Sequence, residues 1–334
     1  MPADTLPQIH YFDLQDFTFQ DGTTLPSARL AYLDLNPGAS KVAVIPTCFR
    51  GRLRSTLNFS NGVFKDYRVI VVALYGNGES SSPSNTTGFP RSLDYRDCVR
   101  AQRHLVDHLG ISSIDVMAGF SMGGQTTYHW LLTYPGFVKN AVIICSAART
   151  SRHNYQFLEG PRAALESSSD YSGFGSNLEG PKPIRGLRAF GKAYSAWLTS
   201  AEWFEEEGYK ALGYETMAAW DKEVAGTNYD DWHPDDLLIM LRMWQNGDVS
   251  KCVQNSQGSV EVALSQVTAR VLLMPSKTDQ YFRWEVSEKE ARCLPDATLG
   301  VIPSIWGHLA GGGINEQDTH WMDQKIAQFL GETS

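Results

Sequence analysis

Between residues 11 and 19 apolar and polar side chains alternate, and the pattern breaks at Asp21-Gly22. A second alternating stretch, 28–35, breaks at Asn36-Pro37-Gly38. Alternation marks strands, and the Asn/Pro/Gly clusters mark turns. The pattern then changes. Val42-Ala43-Val44-Ile45 and Val69-Ile70-Val71-Val72-Ala73-Leu74 are continuous apolar runs, the mark of strands covered on both faces in a parallel sheet. Further strands are predicted at 114–118, 141–145 and 271–274, with a last short one at 299–302. Helical spacing occupies 93–109, then 124–134 up to Pro135, and finally 318–330. Strands alternating with helices predict an α/β architecture: a mostly parallel central sheet of about eight strands with right-handed crossovers.

One segment departs from this rhythm. From 148 to about 268 no convincing parallel strand is found. Helical stretches at 187–203 and 235–246 are separated by joints such as Ser167-Ser168-Ser169 and Gly180-Pro181-Lys182-Pro183. We expect a helical cap inserted between two sheet strands. The domain order is then core (1–147), cap (148–268) and core again (269–334). The cap holds Trp197, Trp203, Trp220, Trp232 and Trp244. Packing between cap helices is the expected role of any one of them, since aromatics usually fill cores, with ligand contact as the alternative.

The strand at 114–118 runs into Gly119-Phe120-Ser121-Met122-Gly123, and a helix follows. This is a nucleophile elbow: a tight strand-to-helix turn that presents Ser121 Oγ, with glycines where side chains would collide. The helix N-terminus then points at a developing oxyanion. Ser needs a base, and the base needs an orienting carboxylate; behind such an elbow they follow in the order Ser, Asp or Glu, His. Of the eight His, His308 and His320 lie beyond the last long strand. His308 sits in a loop just past the strand ending at Ile302, where strands deliver residues to the site. His320 falls in the closing helix, so His308 is preferred. Asp279 follows the strand 271–274 in Pro275-Ser276-Lys277-Thr278-Asp279, whereas the rival Asp296 precedes its strand. An Asp there can also be a simple turn cap. The oxyanion donors are expected to be the amides of Met122 and, from the loop 46–51, Phe49. Arg50, Arg52 and Arg54 cluster beside that loop; solvated side chains are the expected reading, contact with an anionic substrate the alternative.

Composition narrows the class. At 334 residues, 42% hydrophobic, the chain can bury a large core, and no apolar run approaches the roughly 18 residues that span a bilayer. A net charge of -8 disfavours nucleic acid and anionic membranes. Residues 1–4 show neither a basic nor an apolar leader region, and 331–334 carry no retention or peroxisomal signal, so a cytoplasmic protein is expected. The five Cys are scattered, as reduced thiols would be, and Cys48, Cys98 and Cys145 read as small core residues. Tyr75-Gly76-Asn77-Gly78 lacks the third Gly of a dinucleotide site, and no His/Cys/Asp/Glu group has metal-ligand spacing. No cofactor and no metal are expected.

With these residues placed, the chain resembles the homoserine O-acetyltransferase branch of the α/β-hydrolase superfamily, and more closely its hydrolase-like fungal and bacterial members. The resemblance rests on 74–85, Gly119-Phe120-Ser121-Met122-Gly123-Gly124-Gln125, 141–149 and Trp306-Gly307-His308. It covers most of the chain and is weakest in the cap. It implies an α/β-hydrolase fold with a Ser–Asp–His triad, a helical cap over the site and a homodimer formed through cap helices. Family members that acetylate homoserine carry an Asp directly after the triad His, and an Arg and a Tyr on the cap that hold the homoserine carboxylate. The corresponding positions here are Leu309, Gly191 and Leu198. Burying an ammonium or carboxylate without partners is costly, so homoserine should be rejected. The expected activity is hydrolysis of a short-chain or otherwise neutral carboxylic ester through an acyl-Ser121 intermediate. The alternatives are acyl transfer from acetyl-CoA, as co-substrate, to another alcohol, and a non-catalytic binding protein on the same scaffold.

Overall fold

The computed structural model describes residues 6–175 and 180–331. Residues 1–4 and 332–334, read above for targeting signals, lie outside that range. Eight strands form one sheet: β1 (His10–Thr18), β2 (Thr24–Leu35), β3 (Val42–Pro46), β4 (Arg68–Val72), β5 (Ile114–Phe120), β6 (Val138–Ile144), β7 (Arg270–Met274) and β8 (Ala297–Leu299). Their order is β1-β2-β4-β3-β5-β6-β7-β8. The β1–β2 and β2–β4 pairings are antiparallel and all others parallel. The last strand starts and ends earlier than its apolar residues suggest. Ile302 lies past it and makes only an isolated parallel bridge to Ser276.

The ten α-helices among the described residues are α1 (Tyr95–His108), α2 (Met122–Thr133), α3 (Arg152–Glu166), α4 (Ile184–Ser195), α5 (Ala201–Glu205), α6 (Met217–Trp220), α7 (Pro234–Gln245), α8 (Val260–Leu264), α9 (Trp284–Cys293) and α10 (Glu316–Leu330). The continuous apolar runs have a direct cause. Val42 and Val44 pack in one core layer with Met117, Val271 and residues of α1 and α2 such as Leu105 and Tyr128. Ala43 and Ile45 pack in the opposite layer with Val116, Leu272 and Met322 and Ile326 of α10. The central strands β3, β5 and β7 are thus apolar on both faces. Each fully buried aliphatic chain contributes about 1.5–3 kcal/mol.

Between β6 and β7 lie α3 to α8 and, among the described residues, no sheet strand. The helical stretch expected at 187–203 is broken: α4 ends at Ser195 and α5 begins at Ala201. The break is where this segment docks on the loop carrying His308. Ser200 Oγ donates to the Ile305 carbonyl (2.6 Å) and accepts from Trp203 N–H (3.1 Å). Leu309 N–H donates to the Leu198 carbonyl (3.1 Å). A continuous helix would have those backbone groups in its own ladder. Among the described residues no helix is long and apolar enough to cross a membrane.

Candidate active site

Ser121 follows β5 directly and caps α2 with φ 56° and ψ −123°, a conformation that costs a non-glycine residue about 1–3 kcal/mol. The surroundings impose it. Ser121 N–H donates to the Ile144 carbonyl (2.9 Å), and the Ser121 carbonyl accepts from Gly124 N–H (2.9 Å) and Ser146 Oγ (2.7 Å). A Cβ on Gly123 would lie 2.6 Å from the Pro46 carbonyl oxygen, and one on Gly119 would occupy the Gly123 carbonyl. These contacts are the steric reason for the two elbow glycines.

The relay approaches from β7 and from the loop after β8. His308 lies in the 3-10 turn Gly307–Gly312, and its Nδ1 is 2.6 Å from Asp279 Oδ2. Asp279 Oδ1 accepts the amides of Tyr281 (3.0 Å) and Phe282 (2.9 Å). The carboxylate is therefore both turn cap and partner of His308, which unites the two readings of this Asp. Both side chains are buried. The imidazole is walled by Tyr281, Phe120 and Phe282, with centroids 4.4, 4.6 and 5.6 Å away. Thr278 Oγ1 accepts from Gly307 N–H (3.1 Å) and donates to the Ser304 carbonyl (2.8 Å), joining the Asp and His loops. Among the described residues no hydrogen bond joins Ser121 to His308, although both line one cavity. Such links are commonly long without substrate and tighten in the Michaelis complex. The rivals lie elsewhere. His320 is exposed and bonds Gln324 Nε2 (2.8 Å), and Asp296 is exposed near Arg270.

The cavity has a volume of about 340 Å³. The sheet side contributes Phe49, Phe120, Ser121 and His308, and the segment between β6 and β7 contributes Tyr194, Leu198, Trp203, Trp220 and Tyr229. The wall is rich in aromatic rings. Trp203 and Trp220 reach it, whereas Trp197 packs tilted against Phe157 (4.7 Å) and Trp244 stacks on Phe282 (5.5 Å). The amide of Met122, first residue of α2, belongs to the first-turn donors that lack a partner within the helix. Its side chain is fully buried behind the site. Phe49 lines the cavity, its ring held by Tyr194 (5.9 Å) and Trp244 (5.7 Å).

Several expectations need correction. Cys98 and Cys145 are buried, but Cys48 is half-buried on the cavity wall. The three Arg are not equivalent. Arg52 lies on the Trp232 ring at 3.9 Å, so it packs instead of solvating. Arg50 is exposed yet lines the cavity, its Nε donating to the Asn228 carbonyl (2.8 Å). Arg54 is exposed, its guanidinium donating to the Pro7 carbonyl (3.2 Å). Cys145, Asp279 and His308 do converge closely enough to hold an ion, though nothing in their sequence spacing indicates it. Burial holds the Cys145 thiol well above its usual range, which disfavours a thiolate ligand, and Asp279 and His308 already bind each other. Leu309 and Leu198 line the cavity. Gly191 packs where a Cβ would strike the Ala225 carbonyl, leaving no space for an Arg.

Sequence reasoning missed Glu290. This α9 residue accepts from the Tyr128 hydroxyl of α2 (2.7 Å) and from the Ala148 amide (2.7 Å). Burial pushes its carboxyl up to about 7. Tyr281 and Phe282, which hold both ends of the Asp279–His308 pair, were also missed, although an aromatic pair just past a candidate Asp is a readable signal.

A family model described as alpha/beta hydrolase fold matches residues 44–311. An ethyl acetate hydrolase of Pseudomonas veronii is 32% identical over 327 residues, spanning 93% of this chain and 92% of the relative. The crystal structure of the acetyl esterase MekB superposes with a TM-score of 0.91 at 28% identity, covering 98% of both chains. A homoserine O-acetyltransferase of Methanococcoides burtonii is 39% identical over 242 residues, spanning 67% of this chain and 48% of the relative.

Proposed function

Because the chain belongs to the alpha/beta hydrolase fold family, we propose that it is a serine esterase cleaving neutral carboxylic esters with a short acyl group. The observation that carries this is the convergence of a strained Ser121 and the buried His308–Asp279 pair on one aromatic-walled cavity. The similarity to an ethyl acetate hydrolase and an acetyl esterase supports the acyl length.

In this reading Ser121 Oγ attacks the ester carbonyl while His308 Nε2 takes its proton. Asp279 fixes the tautomer, because its Oδ2, 2.6 Å from Nδ1, accepts the Nδ1–H and favours the imidazolium that forms. The amides of Phe49 and Met122 receive the oxyanion, aided by the N-terminus of α2. His308 then protonates the departing alkoxide, leaving acyl-Ser121. Water, deprotonated by the same Nε2, hydrolyses it and restores the enzyme. The reaction needs no redox step and no cofactor.

Acyl transfer is the second reading, favoured by the similarity to a homoserine O-acetyltransferase. Leu309 and Leu198 on the wall and the absence of space at Gly191 oppose homoserine as acceptor. A time course of 4-nitrophenyl acetate cleavage, with Ser121→Ala as blank, separates the readings. Steady Ser121-dependent turnover is expected. A stoichiometric burst that stalls until an alcohol is added would instead establish the transferase, and equal activity in the blank would remove both.

A further inference from the structure

The Tyr75-Gly76-Asn77-Gly78 stretch has no part in the chemistry above, yet it is buried and densely hydrogen-bonded. Asn77 is fully buried. Its Oδ1 accepts from the amides of Glu79 (2.9 Å) and Ser80 (3.2 Å), which locks its own side chain. Its Nδ2 donates to the Gly51 carbonyl (3.3 Å) and to Glu79 Oε2 (3.1 Å). The same Glu79 oxygen accepts from Leu53 N–H (2.8 Å). The Arg52 guanidinium donates to the Asn77 carbonyl. Gly51, Arg52 and Leu53 are thus each gripped by Asn77 or Glu79, starting two residues after Phe49.

The grip extends to the segment above the cavity. Arg52 lies 3.9 Å from the centroid of the Trp232 ring. Asp236 of α7 accepts from Ser84 N–H (3.0 Å) and Ser84 Oγ (2.6 Å), in the same loop as Asn77. Gly78 makes the approach possible: its φ is 84°, and a Cβ there would lie 2.7 Å from Arg52 Nη1 and 3.0 Å from Asp236 Oδ2. The Gly-x-Gly pattern serves loop-to-loop packing.

We infer that Asn77 and Glu79 are positioning residues that set the Phe49 amide for the oxyanion, with Arg52 coupling that setting to the seating of α7. Phe49 is held from two directions, its ring by Tyr194 and Trp244 and the backbone beyond it by the Asn77–Glu79 clamp. An oxyanion donor acts only if aimed at the oxygen of the tetrahedral state. A misplacement of about 1 Å costs as much as 10²-fold in rate, so the clamp should act on the transition state and spare the ground state.

The inference rests on the esterase reading, and one set of assays tests the two separately. Wild type, Ser121→Ala, Asn77→Ala, Glu79→Ala and Glu79→Gln are compared for kcat and KM on 4-nitrophenyl acetate. Inhibition by a trifluoromethyl ketone, which forms a hemiketal oxyanion with Ser121, and by 1-butanol, which mimics the leaving alcohol, is measured alongside Tm. Expected for Asn77→Ala and Glu79→Ala is a roughly 10- to 10²-fold fall in kcat with KM and butanol inhibition within about twofold. Ketone affinity should fall in parallel with kcat. Glu79→Gln keeps an oxygen that can accept both N–H groups and should stay within about threefold of wild type. Unchanged kcat in the two Ala variants, a loss shared equally by butanol, or a Glu79→Gln variant as impaired as Glu79→Ala would each overturn the clamp. Ser121-independent turnover in wild type would overturn the esterase reading instead.

Discussion

The two loops that meet at Ser121 are built on opposite plans. The elbow, 119–123, is determined almost wholly by its own residues and the strand beside it. Glycine at 119 and 123 makes the turn possible, and the Ile144 carbonyl completes it. The loop at 46–53 carries little of its own structure beyond a Gly51-to-Cys48 backbone bond and is held by Asn77, Glu79, Trp232 and a group of aromatic rings far away in sequence. A turn that must be strained needs short-range, steric enforcement. A turn that must only be aimed can be held from a distance, and it can then respond to what happens at the points that hold it.

That contrast can be broken at four places. The largest effect is expected from Asp279→Asn. Asn can still accept from Tyr281 and Phe282 but offers a donor to His308 Nδ1, so the wrong tautomer results. kcat should fall about 10³–10⁴-fold with the fold intact, read from kinetics and circular dichroism. Next, Gly123→Ala forces a methyl to within 2.6 Å of the Pro46 oxygen. Because β3 cannot yield, urea unfolding should show a loss of about 2–4 kcal/mol together with lost activity. A tolerated Ala there would mean the elbow is not sterically enforced.

Glu290→Gln probes one of the places where the elbow helix is held from outside, alongside Tyr95, Thr150 and Gln102. Native Glu290 keeps its proton up to about pH 7, whereas in the unfolded chain it loses it near the ordinary value of 4.5. Folding therefore takes up a proton between these values, and wild-type stability falls as pH rises from about 4.5 through 7. The contribution is complete below that window and lost above it, at most about 3 kcal/mol. Urea midpoints at pH 5 and 8 should show the wild type losing stability relative to Glu290→Gln as the pH rises. A pH-independent difference would sink the assignment. The smallest effect is expected from Arg54→Ala. Its side chain is exposed, so stability should change by no more than about 0.5 kcal/mol and kcat by less than about twofold.

Legibility in the sequence follows the same division. Seven strands were visible in place, because burial on both faces makes continuous apolar runs and the antiparallel hairpin alternates; the eighth was expected at 299–302 but lies at 297–299, a short half-exposed strand that shows neither pattern. Ser121, Asp279 and His308 were readable from position relative to strand ends, and the structure brings Asp279 and His308 into contact and all but the carboxylate onto the cavity wall. The helices α3 and α9 were not foreseen. The first carries Gly160 and Pro161 inside it, and the second is rich in charge and mostly half-buried, so neither shows a clean apolar stripe. The break after α4 was invisible because it answers to the His308 loop and not to local propensity. The roles of Arg52, Asn77, Glu79 and Glu290 were hidden for one reason: polar side chains declare their partners only when distant segments meet.

The helices that cover the cavity are inserted between β6 and β7, so Ser121 is synthesised long before Asp279 and His308. During translation, at about 5–20 residues per second, β6 has no partner on its β7 side until the whole helical segment has emerged. Its apolar stretch Ala141-Val142-Ile143-Ile144 is then an unpaired edge, the kind of surface on which nascent chains associate. Under the proposed esterase mechanism the same delay keeps the growing chain chemically silent: Ser121 can form its elbow early, but no acyl group is transferred until the final strands take their place and deliver His308.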